Sequence, residues 1–159
     1  LESLAEANVP ADRATILLTP SGSTSRLHRL AEELRERFPS SPVVVHQPGD
    51  KKSLAYLAST ADGRRVYVNR LAADADAVVV FGRTGFDPLV GAQGTASFVY
   101  PSLSDEECAI RSRQLAMDSG SAADALRLRQ QCDEVGWLMG LFYSLGVALD
   151  RHQIGRAHV

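Results

Sequence analysis

The run ADAVVVFG (75–82) constrains the fold more than any other part of the chain. Val78–Phe81 is a continuous apolar stretch, rich in β-branched side chains, and reads as a strand buried on both faces by helices. The glycine-rich stretch GRTGFDPLVGAQGTASFVYP (82–101) follows it, with Arg83 and Asp87 as its only charged residues. Open α/β sheets bind ligands in the loops that leave the carboxyl ends of their strands. This one strand therefore predicts a layered α/β fold and marks where a site would sit.

Other segments fit the same architecture. TILLT (15–19) is a short apolar strand before a Pro/Ser/Gly cluster, and SRLHRLAEELRERF (25–38) places Leu27, Leu30, Ala31, Leu34 and Phe38 on one helical stripe with Ser23–Ser25 as N-cap candidates. PVVVH (42–46) is a second strand, KKSLAYLAST (51–60) and RRVYV (64–68) flank an Ala-Asp-Gly hairpin turn, and 69–76 reads as a short helix. Helices are expected over 103–117 and 121–135, with strand in the second half of 137–149. Alternating strands and helices imply a mainly parallel sheet with flanking helices.

A length of 159 residues with 45% hydrophobic content suits one globular domain with a real core. Seventeen Lys and Arg against nineteen Asp and Glu give a net charge of −2, which argues against nucleic acid or an anionic membrane as partner. The longest apolar run, Trp137–Leu149, is 13 residues, well under the roughly 20 a membrane helix needs. Cys108 and Cys132 form no C-x-x-C pair and read as reduced thiols of a cytoplasmic protein. LESLAEANVP reads as the end of a helix already under way, so a truncated N-terminus is expected. The tail IGRAHV (154–159) resembles a translated sequencing adapter and is expected to be non-native, leaving 1–153 as the domain.

The common nucleotide, zinc-protease and hydrolase signatures are absent from the sequence. Two polar segments remain as candidate sites. TPSGSTSR (19–26) is either a phosphate or carboxylate cradle at a helix start, with Arg26, or simply a capped helix entry. In GRTGFDPLVGAQGTAS (82–97), Gly85, Gly91 and Gly94 would let backbone approach a ligand, Asp87 would serve as base or metal ligand and Arg83 as anion clamp; the alternative is a surface loop with glycine turns. His28 reads as solvated and His46 as hydrogen-bonded near a turn. No histidines stand at ligand spacing, so no metal site is expected. Arg111, Arg113, Arg127 and Arg129 read as solvated, and Trp137 as core.

The ordered segments TILLTPSGS, VVVHQPGDKKSLAYL and VYVNRLAADADAVVVFGR resemble the N-terminal domain of the nickel-pincer-dependent lactate racemases, over roughly 1–103 and more weakly to about 150. The resemblance implies a Rossmann-like domain and interconversion of 2-hydroxy-acid enantiomers by hydride transfer. It also implies a nickel-pincer nucleotide tethered to a lysine, a nickel-ligand histidine, two acid/base histidines, and a C-terminal domain of the same chain closing the site. Laid on this sequence, one acid/base histidine falls on Asp87 and the other on Ser23, the loop glycines on Gly91 and Gly94, and the tethering lysine on Ser97. No histidine occurs between Ser104 and Arg151 to bind nickel.

A serine has no amine for a thioamide link, and its oxygen is a poor partner for a soft metal. The expectation is a divergent racemase-type domain without the lysine-tethered cofactor. Two readings from other classes stand beside it. One is a different enzyme acting on a small carboxylate or phosphate through Asp87, Ser23, Arg26 or Arg83. The other is a non-catalytic small-anion-binding module.

Overall fold

The structure is a computed structural model that describes residues 10–20, 23–60, 63–87, 91–93, 95–117 and 122–148. The chain divides into two compact units, Leu1–Gln47 and Pro48–Val159. No helix among the described residues is long and apolar enough to cross a membrane. The helical end expected before Pro10 and the 154–159 tail lie outside the described residues.

In the first unit, strand β1 (Ile16–Leu18), helix α1 (Thr24–Arg37) and strand β2 (Val43–Val45) form a parallel strand–helix–strand turn, with Ile16 opposite Val43 and Leu18 opposite Val45. Backbone bonds extend the ladder at both ends, from Ile16 N–H to Pro42 O (2.8 Å) and from His46 N–H to Leu18 O (2.8 Å). The expected helical stripe is largely realised: Ala31 is buried and Leu27, Leu34 and Phe38 are half-buried, while Leu30 is exposed. Arg35 Nη2 donates to Val43 O at 3.2 Å and Ser41 Oγ to Ala11 O at 2.8 Å, satisfying carbonyls in the connections. His46 is buried, and His28 is exposed as expected of a charged helix face.

The second unit opens with a 3-10 turn at Lys51–Ser53, where strand had been expected. Asp50 Oδ1 accepts from Lys52 N–H at 3.0 Å, and this side-chain cap holds the chain in a turn. Strand β3 (Leu54–Ser59) then pairs antiparallel with β4 (Arg65–Asn69), the predicted hairpin, with Tyr56 opposite Tyr67 and their rings edge to face at 5.8 Å. Gly63, at φ +80°, supplies the left-handed residue that the turn requires. Asn69 Oδ1 caps the short helix α2 (Arg70–Ala73), accepting from Leu71 N–H at 3.0 Å. Val68 and Asn69 are fully buried, and Asn69 N–H reaches Leu103 O at 2.8 Å.

Strand β5 (Val78–Asp87) is paired in parallel with β7 (Leu141–Ala148) through Thr84, and antiparallel with β6 (Gly91–Gln93) from Gly85 to Asp87. The α/β expectation holds, with two parallel pairs and two antiparallel ones. The glycine-rich segment, however, is not a loop from residue 82 onward. It continues as strand because β7 offers partners as far as Thr84 and β6 takes over beyond it. The expectation of double-sided burial is also corrected. Val80 is buried, but Val79 and Phe81 point the other way and Phe81 is 73% exposed, as are Tyr143 and Val147 on the neighbouring strand to lesser degrees.

Helices α3 (Glu106–Met117) and α4 (Ala122–Leu138) fall where the sequence places them, each within a few residues. After α4 the chain reverses at Gly140, at φ +60°, whose N–H bonds Trp137 O at 3.1 Å, and enters β7. Trp137 is 81% exposed rather than core, because it lies on the face of α4 away from buried Leu128, Cys132 and Val135.

Gly82 and Gly146 are register partners on the buried face of the β5–β7 pair. A Cβ on Gly146 would overlap Thr84 Cγ2, so the strands pack here without room for a methyl group. Gly146→Ala should therefore lower unfolding stability by about 1–3 kcal/mol. Adding Thr84→Ser, which deletes the methyl, should recover much of that loss in urea denaturation; no recovery would mean the strain lies elsewhere.

Candidate functional site

The candidate site is built on the far end of β5, the β5–β6 hairpin and the 3-10 turn Thr95–Phe98 that follows it. That turn is wedged between sheet and helix. The Phe98 ring lies over Gly82 so closely that a Cβ there would overlap it, and a Cβ on Gly136 of α4 would stand 2.9 Å from Ala96 Cβ. Ala96 is 5% exposed and Val99 1%. The residue between these two anchors is Ser97, half-buried, whose carbonyl accepts a long bond from Ser102 Oγ at 3.4 Å. Position 97 is thus held from both sides by backbone-level contacts.

Asp87 and Gly91 are register partners at the tip of the hairpin, which brings these two expected site positions together. Gly94 lies outside the described residues. Arg83 pairs in register with Val147 and is exposed. A Cβ on Gly85 would meet nothing within 4 Å, so no packing contact requires glycine there. The glycines that permit close packing within the protein are Gly82, Gly136 and Gly146, which the sequence reading did not single out.

Ser23 belongs to the first unit, at the N-cap of α1, without a side-chain cap bond; its Oγ lies 2.9 Å from Ser25 Oγ. Arg26 is exposed on the first turn of that helix. Gly22, in the same segment, lies outside the described residues.

Behind the 3-10 turn lies a cluster that no sequence motif marks. Tyr100 is 6% exposed; the Cys108 thiol donates to its hydroxyl at 3.0 Å and the Cys132 thiol to its carbonyl at 3.1 Å. Asp105 Oδ1 caps α3 by accepting from Cys108 N–H at 2.7 Å, which fixes the thiol's position. Both cysteines are free. Burial, and then the hydrogen bond with Cys108, push the Tyr100 phenol well above its ordinary range.

Position 97 is a serine, and no group of three or more His, Cys, Asp or Glu able to hold a metal ion occurs among the described residues.

A family model described as the lactate racemase N-terminal domain matches residues 1–124. The chain belongs to that family. Among solved structures, the lactate racemase apoprotein from Thermoanaerobacterium thermosaccharolyticum is similar at a TM-score of 0.71 and 18% identity, covering 90% of this chain and 36% of that one. A crystal structure of a Thermotoga maritima protein is similar at a TM-score of 0.61 and 14% identity, covering 96% of this chain and 50% of that one. The chain thus spans about a third of the racemase and half of the other protein. No curated protein matches significantly. At these identities the structural likeness speaks for the lactate-racemase N-terminal fold, and the residues at each position speak for themselves.

A raised phenol pKa in the folded state means that stability is fully present below the unfolded value of about 10 and declines as pH rises above it. Urea unfolding midpoints should fall above pH 10, and Tyr100→Phe should flatten that fall. An equal alkaline slope in the variant would remove Tyr100 as its source.

Proposed function

We propose that this domain is a lactate-racemase-type scaffold that no longer carries the lysine-tethered nickel-pincer chemistry. The observation that carries the reading is Ser97. It occupies the position matching the tethering lysine, in a turn clamped on both sides by Ala96 against Gly136 and by Phe98 over Gly82. A shift in which another residue took over the tether would have to break one of those contacts. The substitutions at Asp87 and Ser23, together with the absence of histidine between Ser104 and Arg151, support the same reading. An aspartate does not replace an acid/base histidine in kind, since carboxylates as a class titrate near about 4 and imidazoles near neutral pH.

The residual role proposed is recognition of a small carboxylate or phosphate by Arg83 at the β5–β6 hairpin, without turnover. A guanidinium suits such anions because its N–H groups match their paired oxygens. A C-terminal domain of the same chain is the proposed partner in closing the site. Two free thiols support placement in the cytoplasm.

The test uses the full-length protein, made in a host that supplies the pincer cofactor. Nickel by elemental analysis should be far below one per chain, no peptide mass should show a lysine-linked nucleotide, and L-lactate should stay enantiopure by chiral chromatography. Stoichiometric nickel with a lysine adduct, or racemisation above a boiled control, would overturn the proposal.

A further inference from the structure

The second unit contains a cavity of about 410 Å³ that includes none of the expected site positions. It is walled by the β3–β4 hairpin on one side and by α3 and α4 on the other, with Tyr100 between them. Pockets of this volume hold small organic molecules.

Its lining is mixed. Val66, Leu128 and the rings of Tyr67 and Tyr100 supply an apolar part, beside the neutral polar side chains of Thr60, Ser112 and Gln131. The charged lining comprises four arginines and three acids, and most of these charges are already engaged. Asp105 accepts the Cys108 N–H at 2.7 Å, Glu107 pairs with Arg111 at 2.5 Å, and Arg64 and Asp124 also have partners. The side chains of Arg65 and Arg127 are exposed and make no ion pair or hydrogen bond among the described residues.

Two unengaged guanidiniums lining a partly apolar pocket are suited to a molecule with an anionic head and an apolar body. We propose that this cavity binds a small organic anion, a carboxylate or a phosphate monoester on a compact apolar body, with Arg65 and Arg127 holding the head group. The proposal does not depend on the racemase-type reading, since it uses neither the hairpin tip nor position 97.

Cys108 lines the cavity and is partly exposed, whereas Cys132 is 2% exposed, so alkylation of the first reports occupancy and the second serves as an internal control. Iodoacetamide labelling of the full chain, followed by peptide mass spectrometry, should be slowed at Cys108 by phenyl phosphate or benzoate, saturably and at least about fivefold. Whichever of the two protects at lower concentration identifies the preferred head group. Benzyl alcohol, which lacks the charge, should give no comparable protection. The double variant Arg65→Ala/Arg127→Ala changes only exposed side chains, and should raise the concentration needed for half-protection about tenfold or more, with an unchanged circular dichroism spectrum. Absence of protection by both anions at 10 mM (on the order of the weakest affinities of interest), equal protection by benzyl alcohol, or an unaltered response in the folded double variant would each overturn the proposal.

Discussion

The second unit depends on one close packing contact, the insertion of the Thr95–Phe98 turn between the β5–β7 sheet and helix α4. Side chains enter this layer only because their partners have none: Phe98 faces Gly82, and Ala96 faces Gly136. Dense interiors tolerate an added methyl poorly, so such contacts fix both the distance between layers and the register of the segment caught between them. Val99 and Tyr100 follow directly into the core, where the two thiols anchor Tyr100 at its hydroxyl and its carbonyl. The turn, the sheet and the two long helices are thereby held as one arrangement, and the cavity beside Tyr100 takes one wall from it.

Much of this fold was legible because the local signals agree with the packing. The βαβ of the first unit follows from two short apolar runs around an amphipathic helix, and the β3–β4 hairpin from its Ala-Asp-Gly turn with glycine at positive φ. What sequence could not show is where one strand finds its partners. The segment after Phe81 looked like a loop because glycine is weak in strands. Pairing with β7 and β6 outweighs that propensity through Asp87. Likewise Val78–Phe81 reads as buried on both faces, yet the pleat sends Val79 and Phe81 away from the wedge that covers Val80. Trp137 was assigned to the core on size alone, and a helix with apolar residues on several faces gave no period to correct it.

The candidate site was legible in a narrower sense. Family resemblance assigned roles to positions, and the structure places Asp87 and Gly91 side by side in register. The glycines that matter for close approach were missed because their need arises from residues far away in sequence: Phe98 for Gly82, Ala96 for Gly136 and Thr84 for Gly146. No local pattern marks such a pair. The Arg65 and Arg127 pair is equally invisible, since the two residues are brought together only when the hairpin and α4 flank the same cavity.

The geometry around the Thr95–Phe98 turn shows what holds the frame of the site. The close contacts there are made by Ala96 and Phe98 with the glycines they meet, Gly136 and Gly82. Removing either glycine contact would disturb the layer spacing on which both sheet and helix rely. Stability therefore guards the frame of the site, because the β5–β6 hairpin is held by backbone pairing and the turn by the glycines that Ala96 and Phe98 meet.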